Sequence, residues 1–94
     1  MSAKLRTVWW ANEFDISLRQ LRLSQPQLAR IDEFIEGAID ILSREPRFGT
    51  RLDRNGVVWY LPIADVPTLP RLWLYYAYDH ADDNNVVLLE IHRA

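Results

Sequence analysis

The sequence predicts one α+β domain in which helices come first and a sheet follows. From Arg71 to Arg93 the chain reads RLWLYYAYDHADDNNVVLLEIHR, two Leu-, Val- and aromatic-rich runs around a polar loop at Asp79–Asn85. That is the pattern of two antiparallel strands joined by a hairpin. Earlier apolar residues recur at helical spacing instead, and a sheet this apolar needs those helices as cover on at least one face.

Taken in order, Lys4 to Trp10 (KLRTVWW) is a short strand, rich in Val, Thr and Trp. Asn12 is placed to cap a helix of about three turns, with Glu13 and Asp15 facing the positive end of its dipole. Phe14, Leu18 and Leu21 form its apolar stripe. Ser24-Gln25-Pro26 breaks and restarts the chain, since proline is tolerated at a helix start. A second helix then runs from Pro26 to Ser43, with Leu28, Ile31, Ile35, Ala38, Ile39 and Leu42 on one face. Pro46 and Gly49 end it, and the short connection predicts an antiparallel helix hairpin over the sheet.

Asn55-Gly56 is a turn dipeptide, followed by a strand from Val57 to Ile63. Pro62 cannot donate to a ladder, so the end of that strand is expected at an edge or a bulge. The Ala64–Pro70 loop leads to strands at Arg71–Tyr78 and Val86–His92, which completes a three-stranded antiparallel meander. Strict alternation puts Leu72, Leu74, Tyr76 and Tyr78 on one side and Arg71, Trp73, Tyr75 and Ala77 on the other. On the last strand it puts Val87, Leu89 and Ile91 opposite Val86, Leu88, Glu90 and His92. The set holding Glu90 and His92 is expected to be the outer one, sharing a face with Arg71, Trp73 and Tyr75.

Composition narrows the function. The chain has 94 residues, is 49% hydrophobic and holds four Trp and four Tyr. Such a chain buries roughly 60–65% of its unfolded surface, so some rings stay outside, where they mark a partner site. With no cysteine and two histidines, no metal or other cofactor is expected. No apolar run reads as a signal peptide or a membrane span, which predicts a cytoplasmic protein. A net charge of −2 gives no global attraction to a phosphate backbone, so any nucleic-acid role rests on the local cluster Arg44, Arg47, Arg51 and Arg54. Without further context that cluster also reads as a solvated connector. His92 likewise reads as an exposed strand-end residue, and His80 as a turn residue among acids.

The order of strand, helix hairpin and meander, with Pro46-x-x-Gly49 after the second helix and a terminal VVLLEIHR strand, resembles the RelE/ParE toxin superfamily of bacterial type II toxin–antitoxin modules. VWWANEF is similar to the family's first strand and helix start, EPRFGTRL to its connector, and RLWLYYAYD with NNVVLLEIHR to its hairpin. The resemblance spans nearly the whole chain.

It implies a cognate antitoxin as partner, wrapping the toxin and blocking its working surface. For the activity it implies one of three things. The first is a ribosome-dependent, metal-independent endoribonuclease that cuts mRNA. The second is a ParE-like inhibitor of DNA gyrase without enzymatic activity, and the third a catalytically degenerate antitoxin-binding relative. In the ribonuclease, His92 occupies the acid/base position with Arg93 next to it as a further catalytic candidate, Glu90 orients it, and Arg51 and Arg54 supply positive charge. Arg71, Trp73, Tyr75 and Arg47 then belong to the antitoxin- or RNA-binding surface. Where many RelE-like sequences carry an arginine in the middle strand, this chain reads Leu61-Pro62-Ile63.

Overall fold

In the computed structural model, which describes residues 4–24, 31–54, 56–63 and 71–93, β1 (Thr7–Trp10) turns through Ala11 directly into α1 (Asn12–Ser24). The Ala11 carbonyl accepts from the amides of Phe14 at 3.0 Å and Asp15 at 3.3 Å, so the cap lies one residue before the expected Asn12. Phe14, Ser17, Leu18 and Leu21 form the buried stripe. α2 (Ile31–Arg44) buries Ile31, Ile35, Ala38 and Leu42. The expected start at Pro26 and the Leu28 position lie outside the described residues. An ion pair between Arg22 and Asp32 ties the end of α1 to the start of α2.

Four further strands follow: β2 (Thr50–Arg51), β3 (Val58–Ile63), β4 (Leu72–Ala77) and β5 (Asn85–Arg93). Their order in the sheet is β1-β5-β4-β3-β2. The sheet is thus five-stranded and mixed, larger than the three-stranded antiparallel meander read from the sequence. β3, β4 and β5 do run antiparallel in chain order, with β2 added antiparallel at one edge and β1 parallel to β5 at the other. β2 pairs only with Trp59 and Tyr60, so from Leu61 onward that side of β3 has no described strand beside it, and there Pro62 leaves no hydrogen bond unmade.

Both helices cover the same face. Their buried residues join Trp59, Leu61, Ile63, Leu72, Leu74, Tyr76, Val86, Leu88 and Ile91 in one core. Among the described residues no helix is long and apolar enough to cross a membrane.

β5 corrects one expectation. Tyr76 pairs with Leu88 while Tyr75 pairs with Glu90, so Leu89 is an extra residue in the ladder, a β-bulge. The bulge resets the alternation: Val86 and Leu88, expected on the outer face, are fully buried together with Ile91. Glu90 and His92 still point outward, but because of the bulge and not because of parity with Leu88. Just before it β1 ends opposite Leu88, and past it α1 takes over as the neighbour of β5. The buried Ser17 hydroxyl accepts from the Ile91 amide at 3.0 Å and donates to the Phe14 carbonyl at 3.0 Å, filling the place of the missing ladder partner.

The connector after α2 is fastened to the core by Tyr76. Its buried hydroxyl donates to the Pro46 carbonyl at 2.8 Å and accepts from the Gly49 amide at 3.0 Å. Burial pushes its pKa from 10.0 up to about 12, with the Gly49 hydrogen bond acting weakly the other way. An unfolded chain therefore loses this proton near pH 10 while the folded one keeps it until about pH 12. Stability is complete below the lower value and falls between the two as pH rises. Circular dichroism against pH should show alkaline unfolding in that window, and Tyr76→Phe should shrink its pH dependence. The Tyr78 pKa is also raised, first by burial, so part of the effect should survive.

Candidate functional site

The face of the sheet away from the helices carries the side chains that alternate with the core. Val58, Tyr60 and Pro62 of β3 lie opposite Ala77, Tyr75 and Trp73 of β4, and those opposite Val87, Glu90 and His92 of β5. Among the described residues no helix covers this face. Its rings form a row: Trp73 meets Tyr60 edge-on at 5.4 Å, Tyr60 lies 6.5 Å from Tyr75, and Tyr75 meets His92 at 6.0 Å. Each ring is held by its neighbour at distances where aromatic pairs attract. Tyr60 was not singled out in the sequence, although its place two residues before Pro62 gives it the parity of the outer face.

At the end of the row His92 Nε2 lies 3.1 Å from Glu90 Oε2, both side chains being about half exposed. An ionised carboxylate can only accept, so the contact is a hydrogen bond when Nε2 carries the hydrogen, and in that neutral tautomer Nδ1 keeps a lone pair. The pair is built by the bulge, since Glu90 and His92 sit two residues apart on the regular stretch that follows Leu89. Trp73 pairs directly with His92, and the exposed Arg71 immediately precedes β4, two residues before Trp73. Arg93 pairs with Leu72 and lines a shallow hollow against Ser17 and Gln20 of α1, on the helix side.

The remaining predicted cations are elsewhere. Arg51 pairs with Trp59, an inward-facing residue, and its guanidinium lies 5.0 Å from that indole ring. It is three strands from β5, about 14 Å across the sheet, and on the opposite face from His92. Arg54 and Arg47 line a hollow with it beside Tyr78 and His80. The structure therefore gathers Trp73, Tyr75, Glu90 and His92 on one surface, and separates them from Arg47, Arg51 and Arg54.

His80 lies in a one-turn 3₁₀ helix (His80–Asp82) within the hairpin loop, which is anchored to the rest of the fold through Asp83. Asp83 accepts from Lys4 at 3.0 Å, from Arg6 at 3.0 Å and from the Tyr78 hydroxyl. The Tyr78 bond first, then those of Lys4 and Arg6, hold its carboxyl well below the usual range. Among the described residues no three acidic or histidine side chains converge as a metal ion requires. No family model, curated protein or solved structure matches this chain.

Proposed function

We propose that the chain is a RelE/ParE-like toxin of a type II toxin–antitoxin pair, that the open ring face is its working surface, and that it cuts mRNA there. The observation that carries this reading is the row Trp73, Tyr60, Tyr75 and His92, ending in the Glu90–His92 pair. Single-stranded RNA binds by stacking unpaired bases on exposed rings, at about 1–3 kcal/mol per base. A row that ends in a histidine sets such a strand beside an acid/base group.

In the reaction the Nδ1 lone pair of His92 takes the 2′-hydroxyl proton, the 2′-oxygen attacks the adjacent phosphorus, and the bond to the 5′-oxygen breaks. Products are a 2′,3′-cyclic phosphate and a 5′-hydroxyl, with the proton passing to the leaving oxygen. Glu90 holds the ring and balances the imidazolium charge. Arg71 takes the part of stabilising charge on the phosphate, because Arg51 follows Trp59 to the helix side and Arg54 lines the hollow beside it. The antitoxin is a protein segment that covers the same rings, an interface that suits a Trp and Tyr surface.

A second reading, a gyrase inhibitor without chemistry, draws on the position of Pro62. It occupies the ring face opposite Trp73, where an arginine would serve catalysis, and the connector arginines are remote.

Induced expression without a partner separates the two. The ribonuclease predicts growth arrest with fragmented mRNA, and His92→Ala should lower the cleavage rate by about 10²–10⁴-fold while the protein still folds. Intact mRNA together with inhibited DNA supercoiling would give the second reading its place. Full cleavage by the Ala variant would remove His92 from the mechanism.

A further inference from the structure

The end of the sheet where the 45–56 connector meets the 79–83 loop holds most of the positive charge. Two adjoining hollows there, of about 550 Å³ and about 250 Å³, share Arg47, Tyr78 and His80 in their walls. Six of the chain's 11 Lys and Arg residues line them, against the carboxylates of Glu45, Asp79 and Asp83. The local balance is +3 in a chain whose net charge is −2.

These cations differ in how much of their hydrogen bonding is already used. Arg6 donates to Asp83 and, at 2.7 Å, to the Arg44 carbonyl, and Lys4 also bonds Asp83, so both serve the fold. Arg44 is paired with Asp40 at 3.1 Å. Around the smaller hollow the position is different. Arg51 is held on Trp59 with one nitrogen on the Arg54 carbonyl at 2.9 Å, which leaves its remaining donors open to a ligand. The side chains of Arg47 and Arg54 make no hydrogen bond or ion pair among the described residues, although the Arg47 charge is felt at the Tyr78 hydroxyl. The one carboxylate in this wall, Asp79, has Oδ1 on the Ala81 amide at 3.0 Å. The Tyr76 clamp on Pro46 and Gly49 fixes the backbone on both sides of Arg47, so the connector does not have to be ordered when a ligand arrives.

We propose that the smaller hollow is a diphosphate site, in which Arg47, Arg51 and Arg54 hold pyrophosphate or the diphosphate end of a nucleotide, with the larger hollow receiving whatever is attached. Guanidinium forks match paired phosphate oxygens, and the larger volume falls in the range of small-ligand pockets. Convergence of the cations on one concavity favours a compact anion over an extended strand, which needs charge laid out in a line, and the overall negative charge disfavours a long polyanion further. The site uses none of the ring-face residues, so it stands or falls separately from the toxin reading.

Calorimetric titration of the full chain with inorganic pyrophosphate, ADP and a 12-residue oligouridylate tests it. Saturable one-to-one binding of pyrophosphate or ADP is expected. Arg47→Gln and Arg54→Gln should each weaken it about tenfold, with unchanged melting temperature, while Arg19→Gln on α1 leaves it alone. Tighter binding of ADP than of pyrophosphate would identify a nucleotide; equal binding would identify the diphosphate itself. The proposal is overturned if neither binds at millimolar concentration, if the two Gln variants bind as the parent does, or if the oligouridylate binds and pyrophosphate does not displace it.

Discussion

Gly49→Ala is expected to destabilise the protein by about 3 kcal/mol, lowering the melting temperature by about 12–24 °C in a domain of this size. A Cβ at this position would stand 2.5 Å from the Tyr60 carbonyl oxygen and 2.6 Å from the Tyr76 hydroxyl. Neither can retreat. Tyr60 is paired with Thr50 on one side and Tyr75 on the other, and the Tyr76 hydroxyl is fixed by the Pro46 carbonyl. The strain must go into the connector, pulling Gly49 off Tyr76 and leaving a buried phenol short of a partner. Thermal unfolding followed by circular dichroism gives the size of the loss. A shift of only a few degrees would mean that the connector is held far more loosely than the Tyr76 bonds indicate.

The second large effect is expected from Phe14→Ala, about 3–5 kcal/mol. Phe14 is fully buried in the first turn of α1, edge-on to Trp10 at 4.8 Å. Removing the ring takes away the apolar contact that seats the start of α1 on the sheet and the cover that Trp10 has on that side. Against a total stability of about 5–15 kcal/mol for small domains, the loss leaves little margin. Urea unfolding should show the midpoint fall sharply with the slope retained, and Phe14→Leu should recover most of it. A near-wild-type midpoint for the Ala variant would show that the core collapses around the gap.

Periodicity reached the parts of this fold that are long enough to express it. The stripe of α2, the inward set Leu72, Leu74 and Tyr76, and the strand around Trp59 all follow from spacing, because each buries one face over several repeats. β2 has two residues, both exposed, and carries no period to detect. The parallel pairing of β1 with β5 joins Thr7 to Asn85, and nothing local to either residue encodes it. The bulge at Leu89 was hidden for a related reason: VVLLEI is apolar at consecutive positions, so alternation alone cannot say which leucine is the extra one.

The ring face was partly legible, since Trp73 and Tyr75 share parity on β4 and the polar side chains of Glu90 and His92 mark the solvent side of β5. Grouping Arg51 and Arg54 with His92 was not something the residues could establish. Which face an edge residue joins depends on its partner, and Arg51 follows Trp59 to the helix side. The same pairing brings Arg51 toward Arg47 and Arg54, a cluster the sequence shows only as spacing along a connector.

The position of β5 has a consequence for how the protein is made. It lies between β1 and β4 yet comes after both in the chain. A nascent chain that has reached Ala77 already holds Leu74 and Tyr76, with the neighbour that completes their layer still untranslated. The N-terminal strand has no partner until Asn85 emerges, however early it was synthesised. Closure is thus a late, long-range event, slow by its topology, and during that wait the growing polypeptide presents an apolar ribbon with an open side to chaperones and to other chains.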